Sequence, residues 1–251
     1  MTKRPLRVAG FMSGSGTNLR RLLEYADPAF EVVFLFSDNA ASQTQHLALD
    51  YNLPYFIYDI RKFYEAARKP RRLDLPDGWQ LRQQYDSVAL KLLQAFDIDL
   101  IALGGYMSLL TLPFGAVNVH PSDLTLVDEK GRRILVGDHA VRDAILAGNK
   151  SLRASTLWVD QGVDSGPLLV LSDPLPISLP CPLAELKNNP RVLSQVADQQ
   201  QNELKQKGDW RIFPLTVQLL ALGRLQIKDG MAWLDGKAFP NGITLEQINE
   251  A

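Results

Sequence analysis

The run Asn118-Val119-His120-Pro121-Ser122 places an amide and an imidazole two positions apart, at the end of an apolar segment. Side chains alternate along a β-strand, so Asn118 and His120 point to the same face if this segment is a strand. An amide donor beside an imidazole suits a developing oxyanion and a proton transfer. The alternative is a strand-end pair that hydrogen-bonds only to backbone groups, and the pattern alone slightly favours that alternative.

An acidic turn over residues 160–167 lies between two other apolar segments and carries Asp164. Turns are rich in Asp and Gly for purely conformational reasons, so this one needs no function to explain it. A carboxylate brought against His120 would instead raise the affinity of the imidazole for a proton. The sequence leaves both roles of this turn open.

Residues 13–18, Ser-Gly-Ser-Gly-Thr-Asn, are small and polar and lie where a predicted strand passes into a predicted helix. Small side chains let a phosphate approach backbone N–H groups, and the N-terminus of a helix favours an anion. The run has neither the G-x-G-x-x-G pattern nor the lysine of a P-loop. A tight strand-to-helix turn with Asn18 as a local cap is an equally good interpretation.

The composition excludes several classes of protein. The 27 Lys and Arg residues nearly balance the 28 Asp and Glu residues, so the chain lacks the net positive charge of typical nucleic-acid-binding proteins. No apolar run approaches the roughly 20 residues that span a bilayer, and the N-terminus shows no signal peptide. One cysteine and three histidines allow no internal disulfide and leave little for a zinc site. We therefore expect a cytoplasmic protein that binds no membrane, no nucleic acid and no metal.

The elements that must position these residues alternate between strand and helix in the first half of the chain. Apolar runs predict strands, and apolar residues at helical spacing predict helices. The predicted strands cover residues 6–12, 31–36, 54–58, 99–103 and 115–120, and the predicted helices begin near residue 19 and cover 41–50 and 81–95. Residues 59–79 are charged and contain Pro70, Pro76 and Gly78, which interrupt regular structure, so we expect an irregular segment there.

This alternation predicts an α/β fold, Rossmann-like in its mostly parallel twisted sheet with helices on both faces. Ligands bind at the carboxyl ends of the strands in such sheets. Residues 13–18, 104–108 and 118–122 each follow a predicted strand at that edge. The first and last of these segments can therefore face one cleft.

The pattern changes after Pro121. Residues 124–136 contain two short apolar runs around Asp-Glu-Lys-Gly and predict a β-hairpin. Beyond them we expect a helix over 138–147, strands over 155–160 and 167–172, helical regions over about 184–206 and 213–222, and a β-pair of 225–228 with 231–234. We expect residues 1–251 to form a single domain.

Several segments together resemble the folate-dependent formyltransferase family. Residues 12–19 (MSGSGTNL) resemble the family's loop for a ribonucleotide phosphate, and residues 104–110 (GGYMSLL) resemble its folate-side segment. Residues 118–122 (NVHPS) and 163–167 (VDSGP) match its two catalytic motifs, a combination that is specific to the family.

The resemblance continues to the end of the chain and so covers nearly all of it. The runs 212–214 (IFP), 223–225 (GRL) and 232–236 (AWLDG) resemble the tail of the members that act in purine synthesis. They do not resemble the tRNA-binding extension of the family's larger members.

The resemblance implies transfer of a formyl group from 10-formyltetrahydrofolate to the amine of glycinamide ribonucleotide, in de novo purine biosynthesis and without a metal. It implies that Asn118 and His120 contact the formyl oxygen and that Asp164 holds and charges His120. The amine would attack the formyl carbon, and the tetrahedral oxyanion would collapse to release tetrahydrofolate. The implied partners are these small molecules, and the sequence leaves open whether the chain is a monomer or a homodimer.

The resemblance also implies which residues bind each substrate. About residues 1–100 would form a nucleotide- and phosphate-binding half, and about 101–251 a catalytic and folate-binding half. The residues implied for the nucleotide and its phosphate are Ser15, Gly16, Thr17, Asn18, Arg82 and Asp209. The residues implied for the folate are Tyr106, Met107, Leu109, Asp160 and Asp164.

The sequence departs from the family pattern around the folate and the amine. Ser108 stands where the purine-synthesis members typically have an arginine, and Trp158 stands where the family usually has a histidine. Residues 153–155 lack the usual glycine, and residues 123–136 are several residues longer than the corresponding loop.

The set of Asn118, His120 and Asp164 is intact, so formyl transfer is a safer expectation than the identity of the acceptor. One alternative is a formyltransferase that acts on another amine, such as an amino-sugar nucleotide, because residues 123–136 change the shape beside the motif. A second alternative is a paralogue that binds folate or nucleotide without turnover, which the intact set argues against.

Overall fold

The computed structural model describes residues 4–250. Residues 1–3, which begin the N-terminus that we expect to carry no signal peptide, and residue 251 lie outside the described part of the chain. One compact unit ends at Asn118 and a second begins at Val119. No helix within residues 4–250 is long and apolar enough to cross a membrane.

The unit that ends at Asn118 alternates strands and helices. Its elements are β1 (Leu6–Met12), α1 (Thr17–Tyr25), β2 (Phe30–Ser37), α2 (Thr44–Asp50), β3 (Tyr55–Ile57), α3 (Ile60–Ala66), α4 (Gly78–Ala95), β4 (Leu100–Leu103) and the first part of β5 (Ala116–His120). The strands lie side by side in the order β5-β4-β1-β2-β3, and each neighbouring pair is parallel.

Burial on both faces explains why these strands appear as continuous apolar runs. In β1, Val8, Ala9 and Phe11 have no exposed surface, and all residues of β4 are buried. A parallel strand covered by helices meets apolar neighbours on both sides, so it does not need a polar face. Helix α1 contributes Leu19 and Leu22, each 1% exposed, to this core.

The expectation of an irregular segment over 59–79 is wrong for its first part, which forms α3. The Asp59 carboxylate caps this helix by accepting a hydrogen bond from the backbone N–H of Arg61 at 2.9 Å. Ile60 and Tyr64 are four residues apart and are both buried on one side of the helix. The charged residues between them obscured this helical spacing.

The unit that begins at Val119 combines parallel and antiparallel pairs. Its elements are the end of β5, α5 (Ala140–Leu146), β6 (Ser151–Leu152), β7 (Ser155–Trp158), β8 (Leu168–Leu171), β9 (Leu175–Pro176), α6 (Leu183–Lys187), α7 (Pro190–Leu204), a π-helical turn (Lys205–Asp209), α8 (Trp210–Ala221), β10 (Leu225–Lys228), β11 (Met231–Leu234), β12 (Lys237–Phe239), β13 (Ile243–Thr244) and α9 (Leu245–Asn249). β8 pairs parallel with β13 and antiparallel with β7, while β10, β11 and β12 form a separate antiparallel sheet. The predicted class, a Rossmann-like α/β fold with a mostly parallel sheet, is confirmed.

Residues 124–136 do not form the expected hairpin of two strands. Within the described part of the chain, this segment has an isolated bridge between Val127 and Arg133. The Asp128 carboxylate accepts the backbone N–H groups of Lys130 at 2.9 Å and Arg132 at 2.8 Å. The backbone pairing is short: the Asp128 N–H donates to the Arg132 carbonyl at 2.8 Å and the Ile134 N–H to the Leu126 carbonyl at 3.2 Å.

The helical region expected over 184–206 is divided before Pro190. Asn189 caps α7, because its side-chain oxygen accepts a hydrogen bond from Val192 N at 3.2 Å, and proline is favoured at the first helical position. The next helix begins at Trp210, three residues earlier than expected. The predicted β-pair gains a third strand, β12.

The turn between β7 and β8 depends on a glycine at its end. A Cβ on Gly166 would lie 1.8 Å from the carbonyl oxygen of Trp158, the last residue of β7. The Trp158 N–H donates to the Pro167 carbonyl at 2.9 Å, which draws the two strand ends together. The approach is therefore too close for any side chain at position 166.

We expect Gly166→Ala to lower the free energy of unfolding by about 3 kcal/mol, because backbone atoms, and not a flexible side chain, must move to make room. Urea-induced unfolding followed by circular dichroism measures this loss. Gly14→Ala is the matched control, since a Cβ there meets no atom within 4 Å. Equal losses in the two variants would contradict the packing argument.

Candidate active site

His120 ends β5 and is almost fully buried, with 7% of its surface exposed. Its Nδ1 lies 3.6 Å from Oδ2 of Asp164, so the imidazole and the carboxylate are paired within the second unit. The other ring nitrogen, Nε2, is buried and has no hydrogen-bond partner among residues 4–250. Buried polar atoms are normally hydrogen-bonded, so this Nε2 marks a place for a group that the chain itself does not supply.

Opposing effects set the pKa of His120. Burial lowers it, because burial removes water from the charged imidazolium, and the Asp164 carboxylate raises it. The Leu135 carbonyl and Asp138 also raise the pKa, whereas Arg133 lowers it. Burial outweighs the rest, and the pKa lies below the ordinary value of 6.5. The imidazole is therefore neutral at neutral pH although a carboxylate faces it.

Asp164 lies in the turn after β7 with a left-handed backbone conformation, φ 50°. The Gly137 N–H donates to its Oδ2 at 2.9 Å, so the carboxylate is held from a second side. The Arg133 guanidinium donates to the backbone carbonyl oxygens of Asp164 and, at 2.8 Å, of Gly166. Neither Arg133 nor Gly137 is predicted from the sequence, where the unusual length of this segment is the signal.

Two buried serines fasten the chain that follows His120. The Ser122 hydroxyl donates to the Leu135 carbonyl at 2.6 Å. This bond joins the two ends of residues 123–136, which we call the long segment. Ser155 in β7 donates to the Ser122 carbonyl at 2.7 Å and accepts from Leu124 N at 3.3 Å. These bonds fix the backbone within a few residues of the imidazole.

Asn118 is the last residue of the first unit and is half-buried. Its backbone lies opposite Leu103 in the pairing of β5 with β4. Because side chains alternate along a strand, its amide lies on the same face of β5 as the His120 imidazole. The strand therefore presents an amide donor and an imidazole side by side.

Residues 13–18 form the turn from β1 into α1, and Gly16 determines its shape. Gly16 has φ 69°, and a Cβ there would lie 2.6 Å from Cε of Met12. Helix α1 has no acidic side chain in its first turn, so its N-terminal N–H groups keep their positive potential. Of the other residues predicted for the phosphate in this turn, Ser15 is exposed, Thr17 is half-buried and Asn18 is buried.

Ser13 joins this turn to residues 104–110, the segment predicted for the folate. Its N–H donates to the Gly105 carbonyl at 3.0 Å, and its hydroxyl accepts from Met107 N at 2.9 Å. The two predicted binding segments are therefore neighbours within the first unit.

A buried carboxylate, Asp38, holds both segments and is 3% exposed. Ser13 donates to its Oδ1 at 2.5 Å, and Ser108 donates to its Oδ2. Arg71 Nη2 in turn donates to the Ser108 hydroxyl at 2.8 Å. Neither Asp38 nor Arg71 is predicted from the sequence, although a carboxylate directly after a buried strand is a signal for the first.

Arg82 lies in α4 and forms a buried ion pair with Asp86, with Nε 3.0 Å from Oδ2 and both side chains at most 3% exposed. The same Oδ2 accepts from Thr111 N at 2.9 Å and from its hydroxyl at 2.6 Å. Arg82 Nη2 is buried and has no hydrogen-bond partner among the described residues. One donor of this guanidinium is thus left for another group.

The residues predicted for the folate differ in their surroundings. Tyr106 is buried, and burial raises the pKa of its phenol. Met107 is 58% exposed, and Leu109 is half-buried. Asp160 is exposed and accepts from the Ser165 hydroxyl at 2.6 Å, so it stabilises the turn that carries Asp164.

Asp209, predicted for the nucleotide, ends the π-helical turn before α8 and is 2% exposed. Its role stays a prediction. Among residues 4–250, no three His, Cys, Asp or Glu side chains are grouped so that they could hold a metal ion.

A strand-end amide, a buried imidazole and a carboxylate beside it are the groups that stabilise an oxyanion and move a proton, which is the chemistry of acyl-transfer enzymes. Comparison with known families agrees with this class. The family described as formyl transferase matches residues 6–179. The chain belongs to the formyl transferase family, as its motifs predicted, and it is a transferase.

Individual relatives support the assignment. The phosphoribosylglycinamide formyltransferase of Haemophilus influenzae is 26% identical over 243 residues, which cover 93% of this chain and 96% of the relative. The trifunctional purine biosynthetic protein adenosine-3 of Drosophila melanogaster is 27% identical over 181 residues, 68% of this chain but 12% of that longer protein. The structure of phosphoribosylglycinamide formyltransferase from Coxiella burnetii has the same fold, with a TM-score of 0.70 at 22% identity over 96% of this chain and 99% of that chain.

We expect Arg82→Ala to lower the free energy of unfolding by about 3–5 kcal/mol, because Asp86 then keeps a buried charge without its partner. Equilibrium urea unfolding measures the loss. The double variant Arg82→Met with Asp86→Asn removes both charges and keeps an acceptor for Thr111, so we expect it to recover most of the stability. A double variant no more stable than Arg82→Ala would show that charge burial is not the cause.

The lowered pKa of His120 predicts a loss of stability in mild acid. The unfolded imidazole takes up a proton near its ordinary pKa of 6.5, whereas the folded one does so only at lower pH, so protons favour unfolding below that value. We expect the free energy of unfolding to fall between about pH 7.5 and about pH 5.5, and to fall less in His120→Gln. Urea titrations at both pH values test this, and equal losses in the two proteins would contradict it.

Proposed function

We propose that this protein transfers a formyl group from 10-formyltetrahydrofolate to the amine of glycinamide ribonucleotide, a step of de novo purine biosynthesis. The observation that carries the proposal is the buried, unpartnered Nε2 of His120, whose ring is held through Nδ1 by Asp164. Membership of the formyl transferase family and the relatives' names support the same acceptor.

The chemistry follows from the charges of these groups. The acceptor amine attacks the formyl carbon, a new C–N bond forms, and the carbonyl oxygen becomes an oxyanion. Asn118 donates a hydrogen bond to that oxygen, and the neutral His120 takes the amine's proton at Nε2. The imidazolium formed is stabilised by Asp164 and adds its positive charge beside the oxyanion. The tetrahedral intermediate then collapses, the old C–N bond breaks, and the proton passes to the leaving folate nitrogen.

The first unit offers groups for the acceptor's phosphate. The N-terminus of α1 presents backbone N–H groups, and the first turn of this helix contains no acidic side chain. Arg82 is pre-oriented by Asp86 and keeps Nη2 free of other partners within the described residues. We assign the phosphate to this turn and to Arg82, and the ribose to Asp209, following the family's pattern.

The donor is assigned to the residues that follow β4 and to the Asp164 turn. Tyr106 and Leu109 give apolar surface, and the exposed Met107 is free to adjust to a flat ring. Asp160 and Asp164 supply polar groups in the second unit. Cytoplasmic location, and a monomeric or homodimeric state, stay predictions.

The proposed function is tested by a steady-state absorbance assay of folate release from 10-formyltetrahydrofolate. The acceptors are glycinamide ribonucleotide, a panel of amino-sugar nucleotides, and water alone. We expect turnover with glycinamide ribonucleotide, and a loss in kcat of at least about 10²-fold in His120→Gln and in Asp164→Asn. Asn118→Ala removes an oxyanion donor, so we expect about 10²–10³-fold.

His139→Gln is the matched control, because that exposed histidine lies at the start of α5 and takes no part in the proposed step. Turnover only with an amino-sugar nucleotide would replace the acceptor, and formate release without an acceptor would make the reaction a hydrolysis. Folate binding without any turnover would favour a non-catalytic paralogue and overturn the proposal.

A further inference from the structure

Residues 132–137 contact the turn that carries Asp164, and both segments belong to the unit that begins at Val119. One Nη of Arg133 donates to the Asp164 carbonyl, and the other donates to the Gly166 carbonyl at 2.8 Å. The Gly137 N–H donates to the Asp164 carboxylate at 2.9 Å. These bonds act on the backbone and on the side chain of the same residue.

Within the Asp164 turn, the Asp160 carboxylate accepts the Gly162 N–H at 3.0 Å and the Ser165 hydroxyl at 2.6 Å. Asp164 has φ 50°, a left-handed conformation that is uncommon for non-glycine residues although Asp adopts it more readily than most. The residues just before it, 161–163, are exposed, and Val163 is 61% exposed. A turn with so few buried apolar contacts is held mainly by its polar bonds.

We propose that Arg133 is a positioning residue for His120, because it fixes the Asp164 turn so that the carboxylate stays beside the imidazole. This inference rests on the function proposed above for His120 and Asp164. Arg133 acts through the Asp164 backbone, where its planar fork reaches two carbonyl oxygens at once. A lysine ammonium in its place is a single point donor and is not pre-shaped for this pair of acceptors.

Arg133 is itself held in place by its own segment. It forms a bridge with Val127, and the Ile134 N–H donates to the Leu126 carbonyl at 3.2 Å. The next residue, Leu135, accepts the hydroxyl of Ser122, which lies two positions after His120. The contacts therefore connect His120, through the long segment, to Asp164, whose carboxylate lies beside the imidazole.

The charge of Arg133 and its positioning role predict opposite changes in the pKa of His120 when Arg133 is removed. As a nearby cation, Arg133 lowers the pKa of the imidazole, whereas Asp164 raises it more strongly, helped by the Leu135 carbonyl and Asp138. Loss of Arg133 raises the pKa if the Asp164 turn stays in place. It lowers the pKa if the carboxylate moves away while the imidazole stays buried. The sign of the change thus separates a positioning role from a charge effect.

The first test is an NMR titration of the histidine imidazoles in the wild-type chain, Arg133→Ala and Arg133→Lys. Spectra of His46→Gln and His139→Gln assign the remaining signal to His120. We expect the pKa of His120 to fall in both Arg133 variants. Arg132→Ala is the matched control, because it removes the same charge at the preceding residue. The Arg132 side chain is 73% exposed and paired with Asp128. We expect no change there.

The second test is kinetic. We expect Arg133→Ala to lower kcat by about 10²-fold while the KM for the acceptor changes little, because the displaced group lies near the reacting atoms and the acceptor's phosphate is assigned to residues 13–18 and Arg82. In the Asp164→Asn background we expect this loss to disappear, since Arg133 then has no carboxylate to position. Arg132→Ala should keep the wild-type kcat.

A rise in the pKa of His120 in Arg133→Ala would overturn the inference, and so would an equal loss in kcat in both backgrounds. Arg133→Lys supplies the same two readouts if Arg133→Ala does not fold. The titration needs no substrate, so it decides the role of Arg133 even if the proposed acceptor proves wrong.

Discussion

The exclusion of water from the His120 imidazole constrains everything around it in the second unit. Burial of a neutral imidazole costs little free energy, but burial of an imidazolium is costly unless a carboxylate lies beside it. Asp164 supplies that carboxylate, with Oδ2 at 3.6 Å from Nδ1. The same burial leaves Nε2 without a hydrogen-bond partner among the described residues. An exposed turn would not by itself keep the Asp164 carboxylate beside the ring. The contacts from Gly137 and Arg133 hold it there. A single desolvated ring thus explains much of the polar structure in this unit.

The first unit solves a different problem, the burial of full charges next to prospective binding segments. Asp38 is compensated by two serine hydroxyls, and Arg82 by Asp86. Such pairs contribute little net stability, but they fix orientation, because each partner can satisfy the other only in one arrangement. This arrangement explains Ser108, which stands where the purine-synthesis members of the family typically have an arginine. A hydroxyl is small enough to donate to Asp38 while it accepts from Arg71.

Sequence patterns predicted the features that depend on neighbours along the chain. β1 and β4 are apolar because both faces are covered, and the alternation in β5 puts Asn118 and His120 on one face. Motifs identified the family, and the comparisons confirm it. The contact of His120 with a distant carboxylate could be suspected but not seen, since nothing local encodes it. Arg133 could not be predicted, because an arginine in a polar run is most often solvated. α3 was obscured by the charges between its buried residues.

The tip of the long segment is closed on itself. Asp128 accepts the N–H groups of Lys130 and Arg132 through its carboxylate and that of Gly131, at 2.9 Å, through its carbonyl. These bonds stay within residues 128–132, while the residues that hold the Asp164 turn begin at 133. Loop entropy grows slowly, by about 0.6 kcal/mol for each doubling of length. The tip is thus a place where homologous chains can differ in length, and where a fluorescent label or an epitope can be inserted, without disturbing the geometry of the imidazole.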